Sequence, residues 1–121
     1  MNRAFLSSLV LVASSGLAAP AAAQEEIKIG VIYPLTGAAA STGLELKNAA
    51  ELAAEIVNAD MKGLSLPLAG GTGLPNLKGA RVKLVFADHQ GNPQVGASEA
   101  ERLITQEKVV AIMGSYFSAV T

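Results

Sequence analysis

The amino-acid sequence predicts an α/β fold, a βαβαβ half of a doubly wound parallel sheet, and three observations carry that prediction. Short runs rich in β-branched and other apolar residues, at 27–33, 81–87 and 109–113, read as strands covered on both faces. Between them, segments 43–58 and 94–107 place apolar residues at helical spacing. The resulting order of strand, helix, strand, helix, strand leaves each helix long enough to cross over. Right-handed crossovers then make the strands parallel and set the helices on the sheet.

The first strand reads Ile-Lys-Ile-Gly-Val-Ile-Tyr and stops at Pro34. After the turn at Leu35, Thr36 and Gly37, the first helix carries Leu46, Ala49, Ala50, Ala53, Ile56 and Val57 as one apolar stripe, with Glu45, Glu51 and Glu55 off it. Ser41 or Thr42 is its N-cap candidate, because a hydroxyl there accepts a hydrogen bond from first-turn amides that have no helical partner. Segment 60–79 is broken by Gly63, Pro67, Gly70, Gly71, Gly73, Pro75 and Gly79. It reads as a flexible loop insertion with room for a short hairpin. Its Gly70-Gly71-Thr72-Gly73 run is not a phosphate loop, since it follows a helix and no P-loop lysine motif accompanies it. The second strand closes as Val82, Leu84, Val85 and Phe86. A turn follows, in which Asn92 offers a cap and Pro93 stands at the first helical position, where its missing N–H costs nothing. Ala97, Ala100, Leu103 and Ile104 line the second helix, and the third strand exits at Gly114 into a loop expected to lead into a third helix.

Upstream of this pattern, Met1 to Arg3 supply a short positive start and Phe5 to Ala18 a mostly apolar stretch. The stretch ends at small residues, with Ala21 and Ala23 suited to the minus-three and minus-one positions of a signal peptidase site. Residues 1–23 therefore read as a secretory signal peptide cut before Gln24. A membrane anchor is disfavoured, because the run is shorter than the roughly 20 apolar residues a bilayer needs and contains four serines and a glycine. The chain has no cysteine, which leaves no residue for a lipid anchor and no disulfide framework. Loss of Arg3 with the signal makes the mature chain one charge more acidic than the −1 of the full sequence. No cluster of Lys or Arg provides the basic face that a nucleic-acid partner requires. The ending at Thr121, close behind an apolar run, reads as truncated.

In doubly wound sheets ligands sit beyond the carboxyl ends of the strands, which directs attention to segments 34–42, 87–93 and 114–121. The last combines a glycine exit, Tyr116 and Phe117, and the hydroxyls of Ser115, Ser118 and Thr121. A hydroxyl with free amides at a helix start suits a carboxylate, and Ser118 is the best-placed donor. The same serine also suits plain helix capping, and one residue does both. Tyr116 and Phe117 either wall a pocket or pack in the core. His89, the only histidine, stands beside Asp88, but an acid/base pair needs a nucleophile within reach. Cysteine is absent and no serine lies in a Gly-x-Ser-x-Gly setting. Solvated turn residues are the favoured reading, with Asp88 accepting amides of its own turn. No spacing of His, Cys or carboxylates suits a metal. The sequence thus assigns no catalytic residue, no metal ligand and no cofactor.

Residues 27–37, Ile-Lys-Ile-Gly-Val-Ile-Tyr-Pro-Leu-Thr-Gly, resemble the opening of mature periplasmic solute-binding proteins of the branched-chain amino acid type. The likeness continues in order through the Gly43 helix ending Glu55-Ile56-Val57-Asn58, then Gly79-Ala80-Arg81-Val82-Lys83-Leu84, then Asp88 with Asn92-Pro93, then Gly114 ahead of Ser118. It covers essentially all of the mature segment. The departure is the insertion at 61–78, where the family makes a tight glycine-rich turn, and it points to a subgroup whose ligand need not be leucine.

The resemblance implies two α/β lobes joined by a hinge, closing over a solute that passes to an ABC permease complex in the inner membrane. Residues 24–121 would be the N-terminal part of the first lobe. It implies ligand contact at Ser118, which matches the serine after the third strand in relatives, and at Phe117 and Tyr116, which match adjacent pocket positions. Thr42 falls where some relatives place a larger aromatic side chain. The implied protein is periplasmic, binds an amino-acid-like ligand, has no nucleic-acid partner and is a monomer at full length. A sensor built on the same bilobed domain is the competing reading, which would require a later membrane-spanning helix. An exported hydrolase on a doubly wound sheet is a third, since the fold is neutral about function. N-terminal sequencing of the protein recovered from the periplasm is expected to return Gln24 first; a product that keeps Met1 and stays with the membrane would mean an anchor instead.

Overall fold

The side-chain alternation of the central strand settles the layering of this protein, whose computed structural model describes residues 25–121. The expected signal peptide and cleavage point fall on residues 1–24, outside the described residues. Three strands, β1 (Glu26–Tyr33), β2 (Arg81–Asp88) and β3 (Ala111–Gly114), form a parallel sheet in the order β2-β1-β3. Two helices connect them, α1 (Ala40–Asn58) and α2 (Pro93–Thr105). The chain moves to one side of β1 through α1 and back across it through α2. Crossovers of one hand in opposite directions place the helices on opposite faces. On one face Ile32 and Ala87 pack with Leu103 of α2, and Val85, Ala100 and Val109 surround them. On the other, Ile29, Tyr33, Val82 and Leu84 meet Leu46, Ala50, Ala53 and Val57 of α1 along an apolar cavity.

Each element departs from its expected limits for a local reason. Helix α1 starts at Ala40, ahead of the expected Gly43, and no side chain caps it. Three alanines in a row favour helix strongly enough to extend it back to the turn at Gly37, whose φ of +81° suits glycine. Ser41 and Thr42 therefore lie inside the first turn rather than at the cap. Gly43 is where the helix crosses the end of β1: a Cβ there would stand 2.0 Å from the Pro34 carbonyl oxygen. At α2 the expected cap is present, with the Asn92 side chain accepting from the Gln94 and Val95 amides at 2.8 and 3.3 Å and Pro93 following. Leu103 is fully buried whereas Ile104, expected on the same stripe, is 55% exposed, because the next residue along a helix turns about 100° away.

Segment 60–79 is a loop, as expected, with a 3₁₀ turn at Pro75–Leu77 and an isolated antiparallel bridge between Leu74 and Ala80. The Gly73 amide donates to Val57 O at 2.8 Å, which ties the loop to the end of α1, and the Met61 amide donates to Ala69 O at 2.9 Å, which closes the loop on itself. The third strand differs more. Val109 closes the end of α2 through Leu103 O and packs on the core, the Val110 amide makes a first bond to β1 at Lys28 O, 2.9 Å away, and the paired register runs from Ala111. All its residues are exposed, and cavities of about 530 and 510 Å³ lie on its two faces. The expectation of a third strand covered on both sides is corrected: α1 and α2 cover β1 and β2, and nothing among the described residues covers β3.

At the other edge Asn58 stands in for a strand. Its carboxamide donates to Val82 O at 2.7 Å and accepts from the Val82 amide at 2.8 Å, so the last residue of α1 pairs with β2 as a backbone would. Replacing Asn58 with Ala leaves both half-buried backbone groups without this partner. It should cost about 2 kcal/mol, at roughly 1 kcal/mol per bond, measured as a lowered unfolding midpoint of the intact protein; no change would show that water replaces the side chain at no cost.

Candidate functional site

The strand order reverses at β1, so the loops leaving β1 and β3 turn to opposite sides of the sheet and open a crevice between them. A small cleft of about 80 Å³ lies there, lined by Pro34, Thr36, Ala38 and Ala39 from the first loop, Gln90 and Gly91 from the second, and Phe117 from the third. The three segments picked out from the sequence thus meet in space. What brings them together is a pair of consecutive residues at the end of β2.

Asp88 reaches toward the first loop. Its carboxylate accepts from the Leu35 amide at 2.9 Å and from the Thr36 hydroxyl at 2.5 Å, and also from the Gln90 amide of its own turn at 2.9 Å. Partial burial raises its pKa, but the hydrogen bonds from Thr36 and from the amides of Gln90 and Leu35 together outweigh that and hold the group below its ordinary value. His89 reaches toward the third loop. Its Nε2 lies 2.9 Å from the Ser115 carbonyl oxygen, and its Nδ1 accepts from the Gly91 amide at 2.9 Å. Gln90 and Gly91 both have positive φ, 54° and 74°, and this tight turn is what aims their amides back at the side chains of residues 88 and 89.

The reading of Asp88 and His89 as solvated turn residues is corrected in one half. Asp88 does accept an amide of its own turn, but His89 is 0% exposed. Its burial comes from contacts with residues 26 positions further on, which no local pattern announces. Both ring nitrogens are committed to backbone groups, so the pair does not form an acid/base couple.

Of the residues singled out for ligand contact, Phe117 lines the cleft, half-buried between His89 and Tyr116 with ring centroids 5.7 and 5.1 Å away, both edge-on. Tyr116 is 56% exposed, so neither aromatic joins the core. Ser118 is exposed in the turn that the Val120 amide closes onto Phe117 O at 2.9 Å, and its hydroxyl has no hydrogen-bond partner among the described residues. Residues 115–121 form this turn and not yet a helix. Thr42 is half-buried in the first turn of α1 and does not line the cleft. From the first two loops sequence reasoning picked out Thr42 for ligand contact and weighed Asp88 and His89 as an acid/base pair, but it assigned no role to the cleft-lining Thr36, Gln90 and Gly91. The only signal for them was position after a strand.

Across residues 26–121 the sequence matches the family described as periplasmic binding protein. It is 40% identical over 104 residues to a Leu/Ile/Val-binding protein homolog of Brucella melitensis, an overlap of 86% of this chain and 24% of that protein. The fold superposes on the branched-chain amino acid transporter substrate binding protein LivJ of Streptococcus pneumoniae in complex with isoleucine, with a TM-score of 0.62 and 27% identity over 79% of this chain and 24% of that one. It also superposes on the leucine binding protein LivK of Thermotoga maritima, with a TM-score of 0.59 and 29% identity over 78% and 22%. The chain spans about a quarter of the length of the curated relatives it matches.

The depressed pKa of Asp88 has a sign that can be measured. Because the folded-state value lies below the unfolded one, the charged group stabilises the fold fully above the unfolded value of about 3.9, and this contribution is lost as pH falls through the folded value. Asp88→Asn is expected to cost about 2 kcal/mol at neutral pH, in the range for hydrogen bonds to a charged group. The gap from the wild type should close as the solution is acidified, followed by chemical denaturation; a gap of constant size would mean that the charge is irrelevant.

Proposed function

The chain belongs to the periplasmic binding protein family, and on that premise we propose that it is part of the first lobe of an extracytoplasmic solute receptor for an ABC importer, taking an amino acid or a related small carboxylate or amide. The observation that carries the reading is the cleft at the strand-order switch. At about 80 Å³ it is far below the roughly 300 Å³ or more of a pocket that encloses a small molecule. It is one wall of a site, and a binder made of two lobes needs a wall on each.

The wall carries groups that hold rather than transform. Phe117 offers an apolar edge, the exposed Ser118 beside it, outside the lining of the cleft, has an uncommitted hydroxyl, and α1 begins beside Ala38 and Ala39 with no side-chain cap over its first amides. Helix starts and hydroxyls suit a carboxylate, and an aromatic edge suits an aliphatic side chain. Tyr116 and Thr42 stand at the margins of the site in this reading. The named relatives that bind isoleucine or leucine support an amino-acid ligand, and the partner that follows is the importer's permease complex, with the protein held in the periplasm. No bond is made or broken: the ligand favours the closed form only by contacting both lobes, which is all that delivery to a permease requires.

Two measurements test this. Titration calorimetry of the full-length protein with L-leucine, L-isoleucine and L-valine should show binding, whereas residues 24–121 alone should show little. Ser118→Ala in the full-length protein should weaken binding by about 1 to 3 kcal/mol if the hydroxyl donates to a charged group. Unchanged affinity in that variant removes Ser118 from the site.

A further inference from the structure

We propose that His89 is a positioning residue of the cleft: with its proton on Nε2, it fixes the distance between the turn at Gln90 and Gly91 and the opposing wall at Phe117. Four observations lead there. His89 is the largest polar side chain among the fully buried residues, at 0% exposure, and both of its ring nitrogens are bonded. The Gly91 amide can only donate and the Ser115 carbonyl can only accept, so one tautomer satisfies both contacts, with a lone pair on Nδ1 and hydrogen on Nε2. The imidazole packs against the edge of Phe117, and the Ser115 hydroxyl donates to Phe117 O at 2.8 Å, so the residue that forms the third wall is held through the segment His89 grips. Finally, a Cβ on Gly91 would stand 3.6 Å from the Phe117 ring, which shows that the second and third loops face each other across the gap the imidazole spans.

His89 is anchored in turn. Its own amide donates to Tyr33 O at 3.2 Å at the end of β1, and the Asn92 amide donates to His89 O at 2.8 Å at the start of α2. An apolar side chain of similar size would fill the volume but leave the Ser115 carbonyl unpaired in a buried place and take from the Gly91 amide its half-buried partner. The histidine therefore does more than fill space: it converts the fixed end of β2 into a fixed height for the loop that carries Phe117 and Ser118.

The consequence for affinity rests on the solute-binding reading, while the effect on the loop does not. The experiment uses the full-length protein, with His89→Phe to keep the ring and lose both bonds, and His89→Gln to restore a donor toward Ser115 O. Hydrogen exchange in peptides covering 115–120 should quicken by about tenfold or more in His89→Phe while β1 and α1 stay protected, and His89→Gln should recover most of that protection. Affinity for L-leucine and L-isoleucine should follow the same order. Long-range proton–nitrogen spectra of the wild type should show a single Nε2–H tautomer. Unchanged exchange at 115–120, loosening spread equally over the whole lobe, or a proton on Nδ1 each overturns the proposal. If His89→Phe does not fold, the wild-type tautomer and the exchange of His89→Gln decide it. If the wild type binds none of leucine, isoleucine and valine, it is the amino-acid reading that fails, and exchange and tautomer still judge His89.

Discussion

Two adjacent side chains at the end of β2 hold the cleft edge of this sheet together. Asp88 binds the loop that leaves β1, and His89 binds the loop that leaves β3. A parallel sheet fixes its strands through the backbone ladder, but the loops beyond the last ladder bonds have no such frame and must satisfy their amides and carbonyls elsewhere. Here one turn supplies partners to both sides, a carboxylate with several acceptor positions toward one loop and an imidazole with one donor and one acceptor toward the other. Without that turn the three loops would share only the strand ends that carry them. With it, the three loops are tied to one another by hydrogen bonds of the fold itself.

The arrangement follows from strand order. Because β1 lies between β2 and β3, the loops on either side of the switch diverge and leave a hollow that neither helix fills. The end of β2 lies one strand away from the hollow, close enough for Asp88 to touch the first loop and for His89, beneath the second, to reach across β1. Gly43 matters to the same geometry, since the close pass of α1 over the Pro34 carbonyl keeps the first loop short and brings Ala38 and Ala39 to the rim.

The two edges of the sheet are finished in different ways. On the β2 side a single Asn58 carboxamide pairs with Val82, a compact means of ending a sheet without another strand. On the β3 side the apolar Ile112 and Met113 are exposed on opposite faces and each borders a cavity of about 500 Å³. Exposed apolar surface of that kind on both sides of one strand calls for cover. The matched part is 24% of the Brucella melitensis relative, which has further sequence beyond it.

Periodicity was enough to establish the α/β class, the parallel sheet, both helices and the cap at Asn92, because a buried strand and an amphipathic helix write their period directly into the order of residues. The same reading located the three loops that carry the cleft, since position after a strand is a local fact, and it picked Phe117 from one of them. What it could not supply was which side chains are buried by partners far along the chain. His89 looked like a turn residue because its neighbours are Asp, Gln, Gly and Asn, and only the packing of Ser115 and Phe117 over it makes it the centre of the edge. The start of α1, the outward turn of Ile104 and the bare faces of β3 were likewise decided by packing between elements. Sequence reports the preference of each segment for its own conformation, whereas contacts between segments belong to the tertiary fold, and the cleft is made of those contacts.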